Sequence, residues 1–296
     1  MAISSIQFKL LRKEKDPKFN IDNLEHYNLL LQVGFRDMQV CITDTRKDKI
    51  MLIEDYVMPD ITSLDERVDC LECLFDDHHL LLAGFWNRIN IMVKNRKFSL
   101  VPSRLFLPEN VQDYIHLNTA VDPTLENFFH FSHELSDLTN VFAINKSVIH
   151  FLTKQTYPSK EIHFYHQSSS FIHGFQRYFD STPGKVIALY LDRFVLHIVY
   201  LRDGKFQFYN QYPIKKFNDY FRYIGYVIGE FSIDPHLDSF HIWGYLNKNS
   251  KHFNSLLSKY PTLTAGERPA DLIMSYVFDE IPEHQYFDLL SLNHLP

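Results

Sequence analysis

The sequence predicts a mixed α/β fold built twice over, and three observations carry that prediction. A run of three β-rich segments followed by a helical segment opens near Tyr27 and again near Lys185, a domain's length apart. After each run, strand-like and helix-like stretches alternate, as in mixed sheets covered by helices. Hydrophobic residues make up 45% of the 296 residues, with 26 Phe and 17 Tyr, enough for a large core without disulfide or metal staples.

The first half opens with the apolar segment Tyr27–Val33, which ends at Gly34. Residues 38–44 and 50–56 complete a meander with short turns. A helix is expected from about Ser63, because Asp65 and Glu66 suit its N-terminus and Leu64, Val68, Leu71 and Leu74 recur at helical spacing. Residues 79–85 and 89–93 read as strands. Residues 98–101 form another, across the basic turn Lys94-Asn95-Arg96-Lys97. A short helix is expected from Pro108, strands over 128–133 and 141–144, and a helix over 146–156 that Pro158 would stop. Residues Ile162–His166 read as a strand, and Ser168-Ser169-Ser170 as the N-cap of the helix that follows.

The second half repeats the opening. Residues 186–191 form a strand, Asp192-Arg193-Phe194 a tight connection, and residues 195–201 the second strand. Arg202-Asp203-Gly204-Lys205 is an Asp-Gly hairpin turn, and residues 206–212 form the third strand. A long helix over 216–231 precedes a strand over 240–243 that ends at Gly244. Asn247 is expected to cap a helix running to Tyr260, and residues 283–292 read as one more amphipathic helix. The lobes are expected at 1–158 and 159–296.

Charge and composition exclude several classes. A net charge of −6 gives no electrostatic reason for a nucleic-acid partner or an anionic membrane. The compact basic sites, Lys215-Lys216 and the turn 94–97, read as solvated ends because no basic stripe runs through exposed aromatics. No stretch approaches the roughly 18 apolar residues of a membrane span. The N-terminus lacks the pattern of a signal peptide, and three cysteines do not make a disulfide framework. These features point to the cytoplasm. With only 9 glycines, none adjacent, the chain has no glycine-rich phosphate loop of the GxGxxG or GxxxxGK[ST] type.

Some constellations admit two readings. Cys70 and Cys73 with His78 and His79 offer zinc-ligand chemistry, or lie on the helix after Ser63 with Cys70 simply buried. The 16 histidines are scattered: His163 with His166, or His197 with His241, meet only if the fold brings them together. Ser168-Ser169-Ser170 has no GxSxG elbow around it. Gly225 and Gly229, among Tyr220, Phe221, Tyr223, Tyr226 and Phe231, let their helix sit close to a sheet or mark an aromatic docking face; close packing is the expectation.

A duplicated three-strand meander with a helical crossover resembles the superfamily of actin, sugar kinases and heat-shock chaperone ATPases. The flavour is that of its bacterial pilus-assembly branch, the PilM and FtsA type, and of an uncharacterised bacterial family on that fold. The stretches that carry it are Ala188-Leu189-Tyr190-Leu191-Asp192 with Leu196 to Gly204-Lys205-Phe206, similar to the second phosphate-binding hairpin, and Asp238 to Gly244 with its helix, similar to the adenosine-binding segment. The resemblance implies two RNase H-like lobes and a site for ATP and magnesium.

The chain departs from that pattern at each nucleotide motif. Active members carry an Asp-x-Gly turn in each hairpin, whose amides hold phosphate. Here the first turn reads Val33-Gly34-Phe35-Arg36-Asp37, with the acid after the glycine. The second keeps Asp192 but has Arg193-Phe194 where glycine belongs, and Gly244-Tyr245 replaces the paired glycines that accommodate adenosine. The candidate cleft residues are therefore Gly34, Asp37, Asp192, Arg193, Gly244 and Tyr245. The expectation is a catalytically inactive interaction or scaffold protein with protein partners, without a tightly held cofactor or catalytic residues. The alternative is an ATP-binding switch or small-molecule kinase with a non-standard phosphate site, in which Asp192 would hold magnesium through water.

Overall fold

A computed structural model describes residues 8–157 and 160–296. The expectations placed on residues 1–7, on Pro158 and on a lobe boundary at 158/159 lie outside these. The chain forms two compact units. One runs through Ser170 and includes Asp271–Glu280 and Leu295; the other comprises Phe171–Ala270, Ile281–His294 and Pro296.

The first unit begins with β1 (Lys9–Lys15), β2 (Tyr27–Val33), β3 (Asp37–Asp44), β4 (Lys49–Val57) and α1 (Leu64–Asp77). Next come β5 (Arg88–Val93), β6 (Phe98–Pro102), α2 (Val111–His116), β7 (Glu126–His133) and β8 (Leu138–Asn145). It closes with α3 (Lys146–His150), which continues as a π-helical turn, and β9 (Ile162–His166). Its main sheet has the order β1-β4-β3-β2-β5-β9, with the meander antiparallel and β2, β5 and β9 parallel. Every residue of β3 is buried, as befits a strand in the interior of the sheet, and that includes the polar Asp37, Gln39, Thr43 and Asp44 beside Met38, Val40, Cys41 and Ile42. Ser63 and Glu66 form a reciprocal capping box at the start of α1, and Cys70, Leu71, Leu74 and Phe75 face the core. Between β5 and β9 the chain builds a separate antiparallel sheet of order β6-β8-β7.

α4 (Gln167–Tyr178) is followed in the second unit by β10 (Lys185–Asp192), β11 (Val195–Arg202), β12 (Lys205–Pro213) and α5 (Asn218–Phe231). Then come β13 (Ser239–Gly244), α6 (Lys251–Lys259), β14 (Leu263–Ala265) and α7 (Phe287–Ser291). The sheet order is β12-β11-β10-β13-β14, with β10, β13 and β14 parallel. This is the order and direction of β4-β3-β2-β5-β9, the recurrence a duplicated lobe requires. Asp203 (φ 52°) and Gly204 (φ 72°) make the hairpin turn with both central residues left-handed, as the Asp-Gly pair suggests. Trp243 packs edge-on to Tyr178 and beside Phe175, and Phe175 stacks on Phe287 at 4.4 Å.

Several expected elements differ. Residues 79–85 form turns rather than a strand, ending at an exposed Phe85. The serines 168–170 lie inside α4, fully buried, instead of capping it. Asn140 Nδ2 donates to Ser168 Oγ (2.7 Å) and Ser169 Oγ (2.8 Å), and His166 Nδ1 lies 2.6 Å from Ser168 Oγ. This network satisfies the hydroxyls away from water, and burial pushes His166 down to about 4. Ser250, not Asn247, caps α6; Asn247 instead accepts from Asn249 N in the preceding turn. Residues 287–291 are buried on every face, because α7 is a short internal helix rather than an amphipathic surface one. Gly225 and Gly229 are exposed, and a Cβ on either would meet open space, so they do not bring α5 closer to the sheet. Ile224 and Val227 do the packing instead.

Candidate functional site

The phosphate-hairpin position of the first unit is the turn between β2 and β3. Gly34 N–H donates to Asp37 O at 2.9 Å, which closes the turn and consumes that amide. The Asp37 side chain folds back over Gly34 so closely that a Cβ on Gly34 would overlap Asp37 Oδ1. Only glycine permits this approach. β5 runs parallel to β2 with Val33 opposite Val93, so the residue after β5, Lys94, arrives beside the turn. Its Nζ lies 2.5 Å from Asp37 Oδ2. Arg67 of α1 donates to Val33 O at 3.5 Å; burial outweighs the attraction of Asp37 and pushes its guanidinium down to about 10. A turn of this kind offers phosphate a concave, electropositive seat. Here the chain's own carboxylate sits over the glycine, ion-paired with Lys94.

In the second unit, Asp192 ends β10 and is buried, with Oδ2 4.0 Å from His197 Nε2. His197 Nδ1 lies 2.9 Å from Tyr209 Oη, and Tyr190 donates to Asp288 Oδ1 at 2.7 Å. Phe171 packs its ring against Tyr190 and His197. Burial, reinforced by Asp192 and Asp288, pushes both tyrosine hydroxyls far above their ordinary range. Arg193 takes a left-handed φ of 50° and turns its guanidinium over Tyr245, 4.8 Å from the ring centroid, with Nη2 3.4 Å from Tyr245 Oη. The hairpin and the segment after β13 are thereby joined by a cation–π contact.

Gly244 has a backbone reason of its own. Its φ is 94°, its N–H donates to His284 O at 2.7 Å, and His284 Nδ1–H donates back to Gly244 O at 3.1 Å. A Cβ here would stand 2.8 Å from Leu191 C and N and closer still to Leu191 O. Tyr245 N–H then donates to Leu191 O at 2.8 Å. The glycine lets β13 leave the sheet hard against the end of β10.

Each unit thus assembles its own set: Gly34 with Asp37 in the first, Asp192, Arg193, Gly244 and Tyr245 around one end of the sheet in the second. The basic turn 94–97, expected as a solvated end, instead places a half-buried Lys94 on Asp37 and Lys97 Nζ 2.6 Å from Glu126 Oε1; Arg67 was not singled out in the sequence. The register that puts Lys94 next to Gly34 is the signal for the Lys94 contact, whereas nothing local marks Arg67. Asp288 is hidden in the same way within a short apolar helix. Cys70 is buried and Cys73 exposed, while His78 is held 2.6 Å from Glu54. Among the described residues no group of three or more His, Cys, Asp or Glu side chains is arranged to hold a metal ion, and no helix is long and apolar enough to cross a membrane.

The repeated strand order, with a hairpin at the head of each sheet, defines an actin-like ATPase fold. A protein of Bacteroides thetaiotaomicron described as having that fold and unknown function superimposes with a TM-score of 0.79 at 19% identity, covering 94% of this chain and 99% of its own. The PilM–PilN type IV pilus biogenesis complex matches with a TM-score of 0.58 at 10% identity, covering 90% and 97%. At these identities the likeness concerns the fold alone. The chain belongs to the family described as "Protein of unknown function (DUF3822)", whose model matches residues 16–261. No functionally curated protein matches it.

Proposed function

We propose that this chain is a non-catalytic member of the actin-like ATPase fold, a scaffold for protein interaction whose nucleotide motifs no longer serve ATP. The observation that carries this reading is the Asp37 carboxylate over Gly34. A fixed negative charge in the phosphate seat, already paired with Lys94, repels a polyphosphate and occupies its space. The second hairpin supports the same conclusion. Arg193 replaces the glycine, so a side chain rather than bare backbone lines the turn, and that side chain is stacked on Tyr245. Gly244 is accounted for by its approach to Leu191 without reference to a nucleoside. A partner surface, rather than a reaction, is then what remains for the fold to provide. PilM, described in a complex with PilN, is an example of this fold in a protein assembly.

Phosphate release from ATP, measured at high protein concentration with magnesium, tests the reading. Release at the background rate, unchanged in Asp192→Ala, is the expected result. Release above background that disappears in Asp192→Ala would establish a working ATPase or kinase site instead.

A further inference from the structure

The second unit holds a cavity of about 250 Å³ that the scaffold reading does not use. Leu191, Ile242, Leu246, Phe253 and Leu256 line it together with Tyr245, the ring that Arg193 covers. Phe217 and His252, also in the lining, stack on each other at 4.3 Å, and Asn247, Ser250 and the Tyr220 hydroxyl add polar groups. The lining is therefore mostly apolar and aromatic with a few polar positions, as binding pockets are. Its volume falls below the roughly 300–1,000 Å³ typical of drug-sized ligands, which suits one ring system or a short chain.

The surroundings specify a charge. Lys216 precedes Phe217, Lys248 follows Asn247 and Lys251 follows Ser250, and all three lysines are exposed. The positive end of α6 begins at Lys251. Arg193 adds a guanidinium at Tyr245. Two acids adjoin the lining in sequence: the Asp219 carboxylate accepts from the Lys215 and Lys216 amides and faces Arg222 at 3.4 Å, and Asp192, between Leu191 and Arg193, is buried with Oδ2 4.0 Å from His197 Nε2. On a chain of net charge −6, this rim is a local concentration of positive charge around an apolar cavity.

We infer that this pocket binds a small amphipathic monoanion, an aromatic or short aliphatic body in the cavity with its carboxylate at the lysine rim. The proposal goes beyond the scaffold reading and does not depend on it. Isothermal titration of the full chain with indole-3-acetate and with octanoate, beside the neutral indole-3-acetamide, tests it. Saturable binding of at least one carboxylate, tenfold or more tighter than the amide, is expected. Leu246→Trp, which fills the cavity, should abolish binding, and the Lys248→Glu/Lys251→Glu pair should weaken it about tenfold without changing the unfolding midpoint. Failure of both carboxylates to bind overturns the proposal, as does equal affinity for the amide. Undiminished binding to the lysine-pair variant also overturns it, and that variant remains informative if Leu246→Trp does not fold.

Discussion

Replacing Gly244 by alanine separates a backbone role from a ligand role at the position where adenosine would be expected. An L-residue held at φ 94° costs about 1–3 kcal/mol. The added Cβ meets the backbone of Leu191, with C and N both at 2.8 Å and O closer still, so β10 and β13 must move apart. Overpacking of that kind costs about 1–3 kcal/mol more. The sum, about 2–6 kcal/mol, is a large share of the roughly 5–15 kcal/mol that holds a typical protein folded. Trp243 immediately precedes Gly244 and is fully buried, which makes it a local reporter. Urea unfolding followed by tryptophan fluorescence, in a Trp86→Phe background for both proteins, gives the difference. A Gly244→Ala variant within about 0.5 kcal/mol of its parent, the range of a neutral surface change, would refute the backbone account.

Gly225→Ala and Gly229→Ala, exposed in the middle of α5 with open space around them, should each add about 0.5–1 kcal/mol, read as a rise in the unfolding midpoint. Burial pushes the Glu54 carboxyl up, but hydrogen bonds from His78, Lys13 and Tyr56 outweigh it and hold the group at about 2. Its folded pKa lies below the unfolded value of 4.5, so its stabilisation is complete above pH 4.5 and is lost as pH falls towards 2. Glu54→Gln should therefore be less stable at pH 7 and lose less on acidification, by roughly 2 kcal/mol at most, in unfolding curves between pH 7 and 3. Tyr157→Phe, which removes a buried 2.6 Å bond to Leu81 O, should cost about 1 kcal/mol by denaturant unfolding.

The strands of both meanders were legible because their apolar runs are bounded by turn chemistry that acts locally, as at Asp203-Gly204. Where an element depends on what lies opposite, the sequence misleads. Ser168-Ser169-Ser170 looks like a cap, yet Asn140, from the distant strand β8, and His166, at the end of β9, hold the hydroxyls of Ser168 and Ser169 inside α4. Residues 79–85 are apolar enough for a strand but find no neighbouring edge and fold as turns. The helical spacing of Gly225 and Gly229 does not reveal which face of α5 they occupy. The candidate residues at the hairpins were readable as departures from a pattern. The ion pair of Asp37 with Lys94 needed the parallel register of β2 and β5.

The central claim, that the nucleotide motifs no longer serve ATP, is tested most directly by the thermal unfolding midpoint with and without millimolar Mg-ATP and Mg-ADP. A ligand present at 100 times its dissociation constant adds about 2.7 kcal/mol, a rise of several degrees for a chain of this size. The account predicts an unchanged midpoint with either nucleotide. A rise of several degrees that saturates with concentration would contradict it and return the nucleotide motifs to working order.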